Sequence, residues 1–552
     1  MFKYLFSHYF HYVVYCLLGW LSVLLYQVGL FKEISRVLKE NKLFFFLLIL
    51  VFTIIPLCNA AFNPLVYFDE HNYILSAQNI VENGIGSICT TDNNGQCQQF
   101  TIAPHGMGVA AIYAILYNYD FDVFYRKIAL LNLFLYLLNS VLAFIIAGHI
   151  FSYKTISKTT SILILLMPFN IIYATAAMPA TISNTFILIS IYCFIHLIEF
   201  EKRPVLEKDI LNNKYWISLL FALTILLTFR VEYFILFQAS LFILLCSNTF
   251  MLPENNNRAE KKLFYSKGKI LQMIHSGVIL GIVAMVYFYV DLYRQVKTPS
   301  LDVGKFGLNY LNGNYIAHYF MNGSFWFLSI LFVIHFIHLS TEVLKNGLLS
   351  KRISEVTLFC VFIVFLTLYS FYSFQSLHRY LIPITSIYAL MSSATMYFQL
   401  ESRIKNTRRI WSIICLFLIV LGIFFVKDGV KWKNKIIINQ KNKEFIDLIQ
   451  ADNLNKLTHQ YKEESFYFFR APYLGQVTRI HNYLDDFPLA VKKLKAGAHL
   501  FYLESPFEQI NSSPFNNPEE FIMHKENKKG LYGVYRIELR SSFNASIQTP
   551  NI

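Results

Sequence analysis

The chain has 552 residues, of which 55% are hydrophobic, 17% aromatic and only 15% charged. A soluble domain carries about 25% charged residues, so a string of soluble domains is excluded, as are disordered, collagenous and disulfide-dense secreted chains. The net charge of +14 falls mainly in short segments between apolar runs, where it sets orientation rather than recruiting a polyanion. With no basic stripe interleaved with stacking aromatics, nucleic acid is not an expected partner.

A helix needs about 20 apolar residues to cross the hydrocarbon core. Such runs fall at residues 12–31, 43–60, 127–151, 159–178, 181–200, 215–230, 231–248, 270–290, 325–340, 356–375, 380–398 and 410–426, which predicts about twelve spans. The 215–248 stretch is read as two spans divided near Arg230, and the apolar stretch at 106–118 is too short to cross alone. The first run is too long for a cleavable signal and no small-residue cleavage site follows it, so it is read as a retained span.

Lysine and arginine bias orients the bundle. One set of connections, including Lys32, Arg36, Lys39 and Lys42, then Lys154 and Lys158, then Lys202 and Arg203, carries 22 basic residues as far as residue 426; the opposite set carries 8. The first set is assigned to the cytoplasm, which puts both termini and the connections 61–126 and 291–324 outside. Cys89 and Cys97 lie in that first outer loop. An oxidising compartment would favour a bridge between them, and two free thiols on a polar loop is the alternative.

From residue 427 onward apolar runs shorten and Lys, Asn, Asp and Glu become frequent. Helical spacing covers 435–457, and β-rich runs follow at 465–469, 499–503 and 532–539. The predicted fold class is therefore mainly α. Residues 1–426 form a polytopic transmembrane helical bundle, and 427–552 form a small α/β domain on the outer face.

Three places carry residues suited to chemistry. Directly after the second span stands Tyr67-Phe-Asp-Glu-His-Asn-Tyr73, with the adjacent carboxylates Asp69 and Glu70 beside His71. A carboxylate near apolar surroundings and a like charge rises in pKa and can act as a general base toward a hydroxyl or amine. The plainer reading is an acidic first turn of a helix. Next, Ala103-Pro-His-Gly-Met-Gly108, containing His105, reads as a turn before the short apolar stretch. Third, Gln375-Ser-Leu-His-Arg-Tyr-Leu-Ile-Pro383 places Arg379 at an outer span end, where a guanidinium can meet a lipid phosphate in bidentate geometry. Arg230 sits at a similar depth. Snorkelling to the interface accounts for such arginines equally well. His335 and His338, three apart on one helix, read more readily as a satisfied pair than as metal ligands.

Together these features resemble the GT-C membrane glycosyltransferases, and within them are most similar to the protein O-mannosyltransferases and lipid A aminoarabinose transferases. Asp69, Glu70 and Tyr73 match an Asp-Glu pair followed by Tyr, with Ala77 and Gly84 at further recurrent positions. Pro104 and Gly106 match part of a proline-rich turn, although His105 and Gly108 stand where prolines are usual. Arg379-Tyr380-Leu-Ile-Pro383 resembles the Arg-Tyr-Leu-x-Pro that opens a late span, and Arg126 fits a recurrent arginine.

The resemblance implies an enzyme that transfers a sugar, with inversion, from a polyprenyl-phosphate carrier to a lipid-glycan or protein acceptor on the outer face. Asp69 would deprotonate the acceptor and Glu70 would position it. His71, Tyr73, His105, Arg126, Arg230, Arg379 and Tyr380 are the expected substrate contacts. The resemblance fixes no cofactor; a divalent metal ion, where used, would sit on Asp69 and Glu70. The expected location is a bacterial inner membrane with a periplasmic active site, the alternative being the lumenal face of the endoplasmic reticulum. A secondary transporter and a lipid-glycan polymerase or ligase are the rival functions. The absence of internal repeats argues against the first, and an acidic pair in the first outer loop against the second.

Overall fold

The computed structural model describes residues 2–60, 68–84, 88–91, 97–100, 108–119, 121–200, 213–229, 325–346, 353–372, 382–436, 465–468, 483–484, 487–504, 513–529 and 532–540. Arg230, His105, Arg379, Tyr380 and the predicted spans at 231–248 and 270–290 lie outside the described residues.

Helix α1 (Phe2–Gln27) ends in a tight turn at Gly29. That glycine adopts φ +82° and donates its N–H to the Tyr26 carbonyl at 3.1 Å. Left-handed backbone of this kind is open to glycine without a Cβ clash. The chain continues into the short amphipathic α2 (Leu30–Glu40), which buries Leu30 and Val37 and exposes Lys32 and Lys39. Helix α3 (Lys42–Ala60) follows.

Between α3 and the next long helix stand α4 (Phe68–Asn83), a hairpin of β1 (Ile88–Thr91) and β2 (Cys97–Phe100), and the seven-residue α5 (Gly108–Ala114). The bundle then runs through α6 (Phe121–Phe151), α7 (Lys154–Leu166), α8 (Pro168–Tyr173), α9 (Pro179–Phe200) and α10 (Lys214–Phe229). Helices α11 (Phe325–Asn346), α12 (Ile353–Tyr372), α13 (Ile382–Glu401) and α14 (Thr407–Ile436) complete it. Helix α6 packs on α7 and α9, α9 on α10, and α13 on α7 and α11.

Among the described residues five helices are long and apolar enough to cross a membrane: Phe10–Gln27, Val123–Phe151, Pro179–Leu197, Trp326–Lys345 and Thr407–Lys427. Helix α3 exposes Leu43, Phe46, Leu47, Leu50 and Ile54, and α14 exposes Leu416, Ile419, Val420 and Ile423, both at helical spacing. Apolar faces of that extent mark contact with a nonpolar medium. Polar side chains instead pair inside, where Ser140 meets Ser161 at 2.9 Å and Ser386 donates to Asn184 at 2.8 Å. Interhelical hydrogen bonds of this kind hold membrane helices together where apolar packing alone distinguishes little from lipid.

One predicted span takes a different form. The run 159–178 is not a single helix but α7 and α8, broken at Met167, whose backbone is extended at φ −53° and ψ 122°. Pro168 is the cause, since its ring drives the preceding residue out of the helical region and it has no N–H to continue the ladder.

Towards the C-terminus the described strands β3 (Ser465–Phe468), β4 (Tyr483–Leu484), β5 (His499–Glu504), β6 (Phe521–Lys529) and β7 (Tyr532–Leu539) form one sheet in the order β4-β3-β5-β7-β6. The β3–β5 pair is parallel and β5–β7–β6 antiparallel. Helix α15 (Phe487–Lys495) supplies the crossover into β5 and packs against the sheet around Phe468, Leu500, Tyr502 and Phe515.

Candidate functional site

The acidic pair opens α4. This helix turns a stripe of Glu70, Tyr73, Ile74, Ala77 and Ile80 inward, all buried, at the spacing of one helical face. It stops at Gly84, which takes φ +65° and donates its N–H to the Ile80 carbonyl at 3.1 Å. The small residue Ala77 and the glycine just past the helix end thus each have a geometric reason.

Glu70 is wholly buried. Its Oε1 accepts the backbone N–H of Ala177 at 2.5 Å and the Tyr125 hydroxyl of α6 at 3.4 Å. Residues 174–178 link α8 to α9, and two further side chains grip the same link. Asn132 Nδ2 donates to the Ala176 carbonyl at 2.5 Å and to the Tyr113 hydroxyl at 3.0 Å, while that hydroxyl donates to the Met178 carbonyl at 3.3 Å. Burial pushes the Tyr113 phenol well up, so it remains a donor at any ordinary pH. Tyr117 binds Glu82 at the far end of α4.

Helix α5 comes close enough to complete this junction because its first residue is Gly108. A Cβ there would collide with the Thr228 hydroxyl, and would lie 2.7 Å from Thr228 Cβ and 2.9 Å from Phe229 Cδ1 on α10. The result is a fixed platform in which α4, α5, the start of α6 and the α8–α9 link converge on one buried carboxylate.

Of the residues expected at the site, Asp69, Glu70, His71 and Tyr73 share the first turns of α4; Glu70 and Tyr73 are buried, and the side chains of Asp69 and His71 lie outside the described set. Arg126 stands exposed on α6, beside the Tyr125 that reaches Glu70. Cys89 pairs with Gln99 and Cys97 with Thr91 in the β1–β2 ladder, which makes the two cysteines diagonal neighbours on the hairpin. Reasoning from sequence did not anticipate Tyr125, Asn132, Tyr113 or Ala177. A tyrosine and an asparagine in the first half of an apolar span are the local signal that could have pointed to α6.

His335 and His338 do not converge. His335 is buried between Thr395 at 3.2 Å and Glu355 at 3.1 Å, whereas His338 is exposed. Among the described residues a group able to hold a metal ion is formed by Glu33, His149 and His196, at the far ends of α6 and α9 from the acidic pair.

No family model matches this chain, and no curated protein matches its sequence. Its three-dimensional arrangement does have counterparts among solved structures, and the likeness is one of fold. Among them is ArnT from Cupriavidus metallidurans bound to undecaprenyl phosphate, with TM-score 0.52, 11% identity, and coverage of 90% of this chain and 98% of that one. Its apo form gives TM-score 0.54 at 12% identity, over 89% and 97% of the two chains. The Archaeoglobus fulgidus oligosaccharyltransferase tethered with an acceptor peptide containing the NVT sequon gives TM-score 0.51 at 9% identity, over 90% of this chain and 74% of that one. The likeness therefore takes in about nine-tenths of this chain at roughly one-tenth sequence identity.

Proposed function

We propose that this protein is an integral-membrane glycosyltransferase that takes a sugar from a polyprenyl-phosphate carrier and transfers it, with inversion, to a lipid-glycan or protein acceptor at the outer membrane face. The observation carrying this reading is the coincidence of an Asp-Glu pair with a helix, α4, that the buried Glu70 anchors in a chain sharing its fold with solved membrane glycosyltransferases. The likeness to a structure bound to undecaprenyl phosphate supports the carrier class.

In the proposed reaction the acceptor oxygen or nitrogen forms a bond to the anomeric carbon as that carbon's bond to the carrier phosphate breaks. The electron pair leaves with polyprenyl phosphate, and the acceptor proton passes to the carboxylate of Asp69. Glu70 is held by the Ala177 N–H, and its part is to fix the first turn of α4 so that Asp69 meets the acceptor. Arg379 and Arg230 would stabilise the departing phosphate, where negative charge develops. His71, Tyr73, His105, Arg126 and Tyr380 would line the substrate path. A divalent ion, if the reaction uses one, is assigned to Asp69 and its neighbours, where it would neutralise phosphate charge.

Residues 1–426 form the catalytic region in this reading and 427–552 an outer-face domain. The favoured location is a bacterial inner membrane with the active site in the periplasm. Incubating the purified protein with a panel of polyprenyl-phosphate sugars and native membrane extract, with mass spectrometry for free polyprenyl phosphate, tests the proposal. Release with one donor class is expected; no release from any member would overturn it.

A further inference from the structure

At the end of the bundle assigned by basic bias to the cytoplasm, three helices bring a second constellation together. Glu33 comes from the amphipathic α2, His149 from the last turn of α6, and His196 from the last turns of α9. Along α6 the 24 residues from Tyr125 to His149 span about 36 Å at 1.5 Å per residue. The group therefore lies roughly a membrane thickness from Glu70 and is separate from the proposed transferase site.

The geometry is that of a ligand set rather than of a chance surface cluster. One ligand atom from each of Glu33, His149 and His196 lies within 4.8 Å of the other two. His149 Nε2 is 3.0 Å from Glu33 Oε1. Two ligands on a tetrahedral zinc at about 2.0–2.1 Å stand roughly 3.3 Å apart, so this hydrogen bond already holds its two atoms near the required separation. A cation would take the place of the His149 Nε2 proton.

The supporting shell is present as well. Tyr192 donates to Glu33 Oε2 at 2.9 Å and fixes the carboxylate, and His196 stacks on Tyr215 at a centroid distance of 5.0 Å, fixing its ring. Hydrogen-bonded and stacked supports of this sort are what orient metal ligands. The competing charge is Arg36, 3.0 Å from the same Glu33 oxygen; its side chain is 62% exposed and can swing into water at little cost. Glu33 and His149 retain 14% and 25% exposure, enough for an ion to enter from solution.

We propose that Glu33, His149 and His196 form a divalent transition-metal site, of zinc-like preference, that clamps α2 to α6 and α9 on the face opposite the transferase site. Two imidazoles and one carboxylate suit zinc and leave a fourth position for water. The clamp would fix the amphipathic α2 against the bundle. This inference rests on the cluster alone and not on the function proposed for α4.

The test is metal binding by the full-length purified protein after chelator treatment. Zn²⁺ titration by calorimetry would be followed with Co²⁺ as a spectroscopic probe of coordination. Wild type should bind an equivalent that gives the visible bands of low-coordinate cobalt, and Asp69→Asn should retain that equivalent and its bands. Glu33→Gln and His196→Gln should lose that equivalent and the bands. Tyr192→Phe keeps all three ligands, so it remains informative if His196→Gln does not fold, and it should bind roughly ten-fold more weakly. Absence of binding by wild type would overturn the proposal. So would equal binding by wild type, Glu33→Gln and Tyr192→Phe, which would place the metal elsewhere.

Discussion

Removing the buried carboxylate of Glu70 separates its role in placement from its charge. Glu70→Ala leaves the Ala177 N–H buried without its acceptor at 2.5 Å and opens a void between α4 and α6. An orphaned buried donor costs about 1–3 kcal/mol, and the lost side-chain packing adds to that. Glu70→Gln keeps an oxygen facing Ala177 and the side-chain volume, and gives up only the charge-assisted part of the bond, about 1 kcal/mol. The assay, in a Cys16→Ser background because Cys16 is exposed, is thermal unfolding in detergent followed by a thiol-reactive dye, which reports opening of the bundle at buried thiols such as Cys193. Glu70→Ala should lower the midpoint clearly, with Glu70→Gln between it and wild type. A midpoint for Glu70→Ala equal to wild type would refute the view that this carboxylate ties α4 to the α8–α9 link.

Other substitutions probe the same framework. Gly108→Ala forces a Cβ to 2.7 Å from Thr228 Cβ; overpacking of this kind costs about 1–3 kcal/mol, and the thermal midpoint should fall and partly recover when Thr228→Gly is added. Asn132→Leu removes the donor to Ala176 and Tyr113 and should destabilise by about 1–3 kcal/mol in the same dye assay. His335→Ala removes a hydrogen-bond partner of Glu355, whose side chain is 2% exposed, at a cost of about 1–3 kcal/mol; the double change His335→Phe with Glu355→Leu should recover part of it.

How far the sequence discloses these features follows from the range of the interactions. The strands at 465–468, 499–504 and 532–539 coincide with β-rich runs because alternation is a local signal. The short α5 likewise follows from the brevity of its apolar stretch. The break inside 159–178 was also written locally, in Pro168, but hydropathy over a 20-residue window averages a proline away. Partners are a different matter. Glu70 meets Ala177 across 107 positions, and Glu33 meets His149 across 116. No spacing rule reaches that far, so the acidic pair was visible as a motif while its anchorage was not. His149 and His196 carry no local signal that ties them to Glu33; three-dimensional packing alone brings the three together.

The central claim is that Asp69 is the base of a lipid-linked sugar transfer, and a single-turnover comparison of wild type with Asp69→Asn tests it most directly. Both proteins, matched for thermal midpoint, would be mixed with the active donor and acceptor, and free polyprenyl phosphate measured against time. A lost general base predicts a fall of about 10²- to 10⁴-fold in rate with donor binding retained. Equal rates from the two proteins would contradict the account.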